Sequence, residues 1–227
     1  MKKYLMMIAL LLGIQALHAQ DDVEYRMEFG AGGGLVSYQG DFNGKPFKNL
    51  QPIGSAVARY IFNPYMDLKM NASYGKLKGA SNDVTTYYPD FQGTPYEFNH
   101  SLVDVGVVYE YNFWPYGTGR DYRGSKRIVP FLFGGLGGTF VKTAEKNVFT
   151  ANLPIGVGVK YKISDRLNLG VEWSVHFSLS DELDGIKDPY GISSSGLFKN
   201  ADGYSALQLT LTYSFMAKCR TCHNDND

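Results

Sequence analysis

After its first 20 residues the sequence has no apolar run approaching the ~18 to 20 residues that a membrane-crossing helix requires, so no segment beyond Gln20 can span a bilayer in helical form. Net charge is missing too. Lys and Arg number 22 against 22 Asp and Glu, and that balance offers no polyanion such as nucleic acid a reason to bind. Cysteine is nearly absent: Cys219 and Cys222 are the only two in 227 residues, both inside the C-terminal string CRTCH. What the chain does have is 26 Gly, 17 Tyr and 14 Phe, at a length suited to one domain.

The first residues, MKKYLMMIALLLGIQALHAQ, run from two lysines through an apolar stretch at Leu5 to Leu12 to Ala19 and Gln20. This is the charge, core and small-residue order of a secretory signal, expected to be cleaved after Ala19, although Leu17 is larger than the residue usual at its position. The exported chain then meets an oxidising compartment.

Most of the remainder alternates with a period of two. Leu207, Leu209, Leu211, Tyr213 and Phe215 interleave with Gln208, Thr210, Thr212 and Ser214, putting apolar and polar residues on opposite faces of a strand. Two further strands follow the same rule: Ile155, Val157, Val159, Tyr161 and Ile163 share one face, then Leu167, Leu169, Val171, Trp173, Val175 and Phe177, with the tight polar turn SDR between them. Met66 to Gly75 and Leu102 to Phe113 alternate likewise, and Tyr25 to Tyr38, Ile53 to Phe62 and Ile128 to Thr143 are less regular strands. The count is eight, an even number.

The faces opposite the apolar ones carry Arg26, Glu28, Arg59, Asp67, Lys69, Asp104, Glu110, Lys160, Lys162, Glu172 and His176. A soluble barrel shows such residues to water, whereas a membrane barrel turns them inward and gives its oily face to lipid. Strand lengths of about 9 to 13 residues and aromatics at strand ends (Tyr60 and Phe62, Tyr109 to Trp114, Tyr213 and Phe215) favour the inside-out form. The expected fold is all-β, an eight-stranded antiparallel transmembrane β-barrel over residues 20–216, preceded by a signal peptide (1–19) and followed by a periplasmic tail (217–227). Long connections from Lys76 to His100 and from Ser180 to Tyr204 belong outside, while NPY (63–65) and SDR (164–166) are periplasmic turns. One turn on the periplasmic side is long: Trp114 to Arg127 carries Arg120, Arg123, Lys126 and Arg127 against Asp121, and these four are candidate docking residues for a partner.

CRTCH matches the attachment string of a covalent haem, yet only Asn224 to Asp227 follow His223, too little chain to build a pocket or supply a second axial ligand. Two Cys and one His also leave a tetrahedral zinc site one ligand short. The expectation is no metal and no cofactor. Cys219 and Cys222 instead form either a local disulfide or a bridge to another protein. In SVHFS, Ser174, His176 and Ser178 share a strand face beside Glu172, a weak hydrolase signal; residues two apart on a strand lie about 7 Å from one another, so these read as lumen hydrogen-bonders rather than catalytic groups. GAGGGL and FGGLGG resemble phosphate loops only in composition, and strand glycines in a narrow barrel make room for bulky lumen neighbours.

The signal, the early GAGGGLVSYQGDF, the YKISDRLNLGVEW hairpin, the final LQLTLTYSF and the Cys-x-x-Cys tail together resemble the PorG family, the small outer-membrane barrels of the type IX secretion system. The resemblance spans the chain after its signal. It implies a non-enzymatic protein of the Gram-negative outer membrane, embedded in outer-membrane lipid and associated with a periplasmic ring of PorK and PorN. Geometry agrees with such a role, because the interior of an eight-stranded barrel is just wide enough for its own side chains and cannot pass a folded cargo. The competing expectations are a small outer-membrane enzyme or lipid-modifying barrel working through residues 76 to 100 or His176, and a surface adhesin or stress barrel acting through its loops.

Overall fold

The computed structural model describes residues 23–40, 48–80, 97–117, 126–143, 147–179, 183 and 202–217. The expected signal, residues 1–19, and the tail with Cys219 and Cys222 lie outside the described residues. The rest is eight strands: β1 (Tyr25–Gln39), β2 (Gln51–Asn63), β3 (Met66–Ala80), β4 (Glu97–Asn112), β5 (Ile128–Lys142), β6 (Asn147–Lys162), β7 (Leu167–Ser178) and β8 (Gly203–Ala217). Each pairs antiparallel with its sequence neighbours, and β8 closes on β1 to complete the barrel. One end, the turn end, holds the start of β1, the end of β8 and the turns after β2, β4 and β6. The other, the loop end, holds the remaining connections.

The barrel is inside out, as the alternation predicts. Val157, Val171 and Leu209 on the outer wall are 53%, 44% and 51% exposed, whereas Arg59, Lys69, Asp104, Glu110 and Lys160 are all buried in the lumen. A wall of this kind is a transmembrane β-barrel, its apolar band against hydrocarbon and its charges paired inside. Arg26 and Lys162, expected in the lumen with the others, sit half-buried near the turn end.

Four strand boundaries lie beyond the expected ones. Lys76 to Ala80 and Glu97 to His100 are strand rather than loop, paired from Lys76↔Ser101 to Ala80↔Glu97. β6 begins at Asn147, not Ile155, and β8 at Gly203. In each case alternation persists past the oily band. On β3 and β4 the outward positions there become Lys, Ser or Asn while inward ones become apolar, as with buried Leu77, Phe98 and Leu102, so the expected apolar-out pattern reverses.

Glycines let the lumen fill. Gly156 and Gly158 of β6 lie across the ladder from Phe133 and Phe131, and a Cβ at Gly158 would stand 2.6 Å from the Phe131 ring and 2.7 Å from the Val171 carbonyl oxygen. Gly158→Val should therefore destabilise the barrel by about 1–3 kcal/mol, seen as a lower urea midpoint. Gly33→Ala, where the nearest atom is 3.7 Å away on the outer wall, should leave the midpoint nearly unchanged.

Candidate functional site

Cross-strand register places the lumen charges in one layer. Glu28 of β1 lies opposite Arg59 of β2, which lies opposite Lys69 of β3; Asp67 of β3 faces Glu110 of β4. Lys160 and Glu172 approach from β6 and β7. Arg59 donates to Glu28 at 2.5 Å and to Glu110 at 2.9 Å. Lys69 reaches Glu172 at 2.6 Å and Glu110 at 3.0 Å, and Lys160 reaches Asp67 at 2.5 Å and Glu110 at 2.6 Å. Phe131 and Phe133 from β5 face the two ammonium groups, with Lys160 Nζ 4.6 Å from the first ring and Lys69 Nζ 4.5 Å from the second. Burying so many charges is favourable only because each meets a partner of opposite sign, and Arg59, Lys69, Glu110 and Lys160 each meet at least two.

Below this layer the turn after β4 folds back into the lumen. Tyr116 is buried against Val23, Ile61 and Val129, and its hydroxyl donates to Glu28 at 2.6 Å. Its backbone N–H donates to the Pro64 carbonyl at 2.8 Å, and the Glu24 N–H donates to the Gly117 carbonyl at 2.9 Å. Gly117 has φ of 75°, a left-handed conformation that reverses the chain directly after Tyr116. Burial, reinforced by the neighbouring Glu28 carboxylate, holds the Tyr116 phenol protonated well above the usual tyrosine range. The turn is long, then, because part of it closes the barrel. Sequence reasoning missed Tyr116, although the length of WPYGTGRDYRGSKR at the end where other turns are minimal was a signal available for it.

The loop end is closed by apolar packing. Leu183, from the connection after β7, is buried among Val36, Tyr38, Leu77, Phe98 and Leu102. Asp202 accepts hydrogen bonds from the Leu183 N–H at 2.8 Å and from the Tyr38 hydroxyl. His100 Nδ1 stands 3.3 Å from the Leu183 carbonyl.

Between cap and charge layer lies a second polar group. Asp104 accepts from Thr139 Oγ1 at 3.0 Å, Asn152 Nδ2 at 2.5 Å and the Tyr204 hydroxyl at 2.7 Å. The His176 ring stacks on Tyr204 with centroids 4.4 Å apart. Ser174 Oγ is 3.1 Å from His176 Nε2, and His176 Nδ1 is 4.0 Å from Asp104 Oδ1. The distance expected to keep Ser174 and His176 apart is thus bridged by their side chains, which lean together across a backbone separation of about 7 Å. Ser, His and Asp do assemble here, but in a lumen shut at both ends. A substrate would have to displace the Leu183 cap or the charge layer to reach them.

Of the candidate docking residues, Lys126 lines a shallow turn-end pocket with Tyr25, Glu28, Tyr116, Lys162 and Asn168. The Arg127 carbonyl accepts from the Lys162 N–H at 2.8 Å. Arg120 and Arg123 lie outside the described residues.

A family profile described as "Domain of unknown function (DUF6089)" matches residues 2–224. No curated protein matches the chain. Among solved structures, neisserial surface protein A (NspA) is similar with a TM-score of 0.51 at 13% identity, over 83% of this chain and 97% of that one. Ail, the attachment invasion locus protein of Yersinia pestis, solved with the heparin analogue sucrose octasulfate, aligns with a TM-score of 0.50 at 9% identity, over 85% of this chain and 99% of that one. The outer membrane protein OprG from Pseudomonas aeruginosa aligns with a TM-score of 0.47 at 10% identity, over 87% of this chain and 99% of its own. These likenesses are of fold alone.

Proposed function

The chain belongs to the DUF6089 family, and from its closed barrel we propose that it is a non-enzymatic integral component of the outer membrane, a PorG-like part of the type IX secretion machinery that anchors a periplasmic PorK/PorN ring. The observation that carries this reading is the filled lumen: charge layer, Tyr116 closure and Leu183 cap leave no route for cargo. The protein can then act only through its surfaces. In this reading the loop end faces outward and the turn end faces the periplasm, the usual disposition of such barrels. Lys126 and Arg127 then face the partner, and the same side is proposed for Arg120, Arg123, Cys219 and Cys222, which lie outside the described residues.

Charge reversal at Arg120, Arg123, Lys126 and Arg127 should weaken co-purification of the ring proteins from detergent, most at low salt, and the difference from wild type should shrink as salt screens the charges. Undiminished co-purification at low and high salt would remove this turn from the interface. On non-reducing gels, Cys219→Ser and Cys222→Ser separate the two thiol arrangements. A reducible high-mass band lost in one variant marks a bridge to a partner, and a monomer band throughout marks a local pair or free thiols.

A second reading rests on the contact between Ser174 and His176. An outer-membrane hydrolase using Ser174 as nucleophile and His176 as base would be labelled at Ser174 by a fluorophosphonate in the folded protein. The closed lumen favours no labelling.

A further inference from the structure

On the outer wall at the loop end, register aligns side chains from four strands. Lys76 of β3 lies opposite Ser101 of β4, which lies opposite Lys142 of β5, which lies opposite Asn147 of β6. Two residues toward the membrane centre, the matching row reads Tyr74, Val103, Phe140 and Phe149, all exposed, with Phe149 at 74%. Two residues the other way, Lys78 lies opposite Asn99. A row of amines and small polar groups thus stands directly against a row of large apolar ones.

Strand spacing puts the Lys76 and Lys142 backbones roughly 10 Å apart across β4, and Lys78 about 7 Å further along β3. Flexible four-carbon stems can bring all three ammonium groups over Ser101 and Asn99. None of the three lysines pairs with a carboxylate among the described residues. Glu97, opposite Ala80, is the one acidic side chain on this outward face at the loop end of β3 to β5 among them. At the same end of β1, β7 and β8, the outward positions Leu35, Phe177 and Leu207 are exposed and uncharged.

From this we infer that Lys76, Lys78 and Lys142, with Ser101 and Asn99, form a binding site for the phosphate groups of an outer-leaflet phosphoglycolipid whose acyl chains lie on Tyr74, Val103, Phe140 and Phe149. Compact ammonium groups bind phosphate as point charges, and basic clusters at a membrane interface select anionic headgroups. An aromatic row immediately below fixes the depth at which headgroup gives way to hydrocarbon. The site rests on the loop end facing outward and is independent of any contact with a periplasmic ring.

Its test uses the full folded protein in detergent micelles doped with bisphosphorylated lipid A, with bound lipid counted by native mass spectrometry. Parallel arms use lipid A stripped of both phosphates, and inorganic phosphate as competitor. Wild type should retain the phosphorylated lipid at least tenfold better than the stripped one, and the triple variant Lys76→Gln/Lys78→Gln/Lys142→Gln should lose that preference while keeping the heat-modifiable gel mobility of a folded barrel. Millimolar inorganic phosphate should displace little. Equal retention of both lipids, or an unchanged preference in the folded triple variant, overturns the site; full displacement by inorganic phosphate overturns its lipid character. An epitope inserted in the connection between β3 and β4 and read on intact cells reports the orientation separately. Exposure of the epitope without lipid preference defeats the site alone, and an inaccessible epitope defeats the orientation on which it stands.

Discussion

Arg59→Met should lower the stability of the barrel in lipid vesicles by about 3–5 kcal/mol, the scale of breaking a buried ion pair from one side. Arg59 is 2% exposed and bonded to both Glu28 and Glu110. After its removal Glu110 still has Lys69 and Lys160, but Glu28 has only hydrogen bonds, from Tyr116, Asn168, Thr212 and Ser214. A carboxylate left that way has lost the only cation paired with it among the described residues, in a medium of low dielectric. Adding Glu28→Gln to Arg59→Met should therefore recover more than half of the loss. Urea unfolding followed by the fluorescence of Trp114 and Trp173 measures both variants. A loss below 1 kcal/mol for the single variant, or no recovery in the double, would show that the layer is not held by the pairing described.

Val157→Arg and Leu209→Arg should each cost roughly 2–4 kcal/mol, the penalty for a cation on the lipid face near the bilayer midplane. Both side chains point outward, at 53% and 51% exposure. The adjacent Thr210 points inward, and its hydroxyl has no hydrogen-bond partner although it is buried. Thr210→Ala gives up no bond and should cost far less. The comparison reads orientation residue by residue, because neighbours along a strand must alternate between cheap and costly. Equal tolerance of the outward and inward changes would refute the inside-out wall.

The sequence made the barrel legible wherever lipid and lumen impose opposite chemistry on alternate residues. Val157, Val159 and Tyr161 against Lys160 and Lys162 leave one phase open to that hairpin, and β8 is as strict. Legibility failed where the chain leaves the oily band. The first half of β6 turns Pro154 and Asn152 inward, and neither marks a strand interior, so the strand was expected to begin at Ile155 rather than Asn147. Tyr116 reads as one more interfacial aromatic in a row of them; its burial follows from Gly117 and the bond to Pro64, which no local pattern announces. The lumen charges were readable as a set but not as a network, since register, not composition, decides that Arg59 stands between Glu28 and Glu110. The approach of Ser174 to His176 escaped for a related reason, because backbone spacing sets where side chains start and not where they meet.

The charge layer also constrains how the barrel can come into being. Glu28, Arg59, Asp67, Lys69, Glu110, Lys160 and Glu172 come from six strands, the phenylalanines facing the ammonium groups come from β5, and hydroxyls of Thr212 and Ser214 on β8 complete the shell of Glu28. The β1–β2 hairpin pairs Glu28 with Arg59 by itself, but Asp67 and Glu110 of β3–β4 meet Lys160 only once β6 is in place, and Glu172 of β7 meets Lys69 only across the lumen. A sheet of β1 to β6 or β7 alone would leave Glu28 without its β8 hydroxyls beside a bare edge in hydrocarbon, two penalties that vanish together when β1 meets β8. Insertion and closure are thereby coupled into one cooperative event, and a partly assembled barrel has no stable resting place in the membrane.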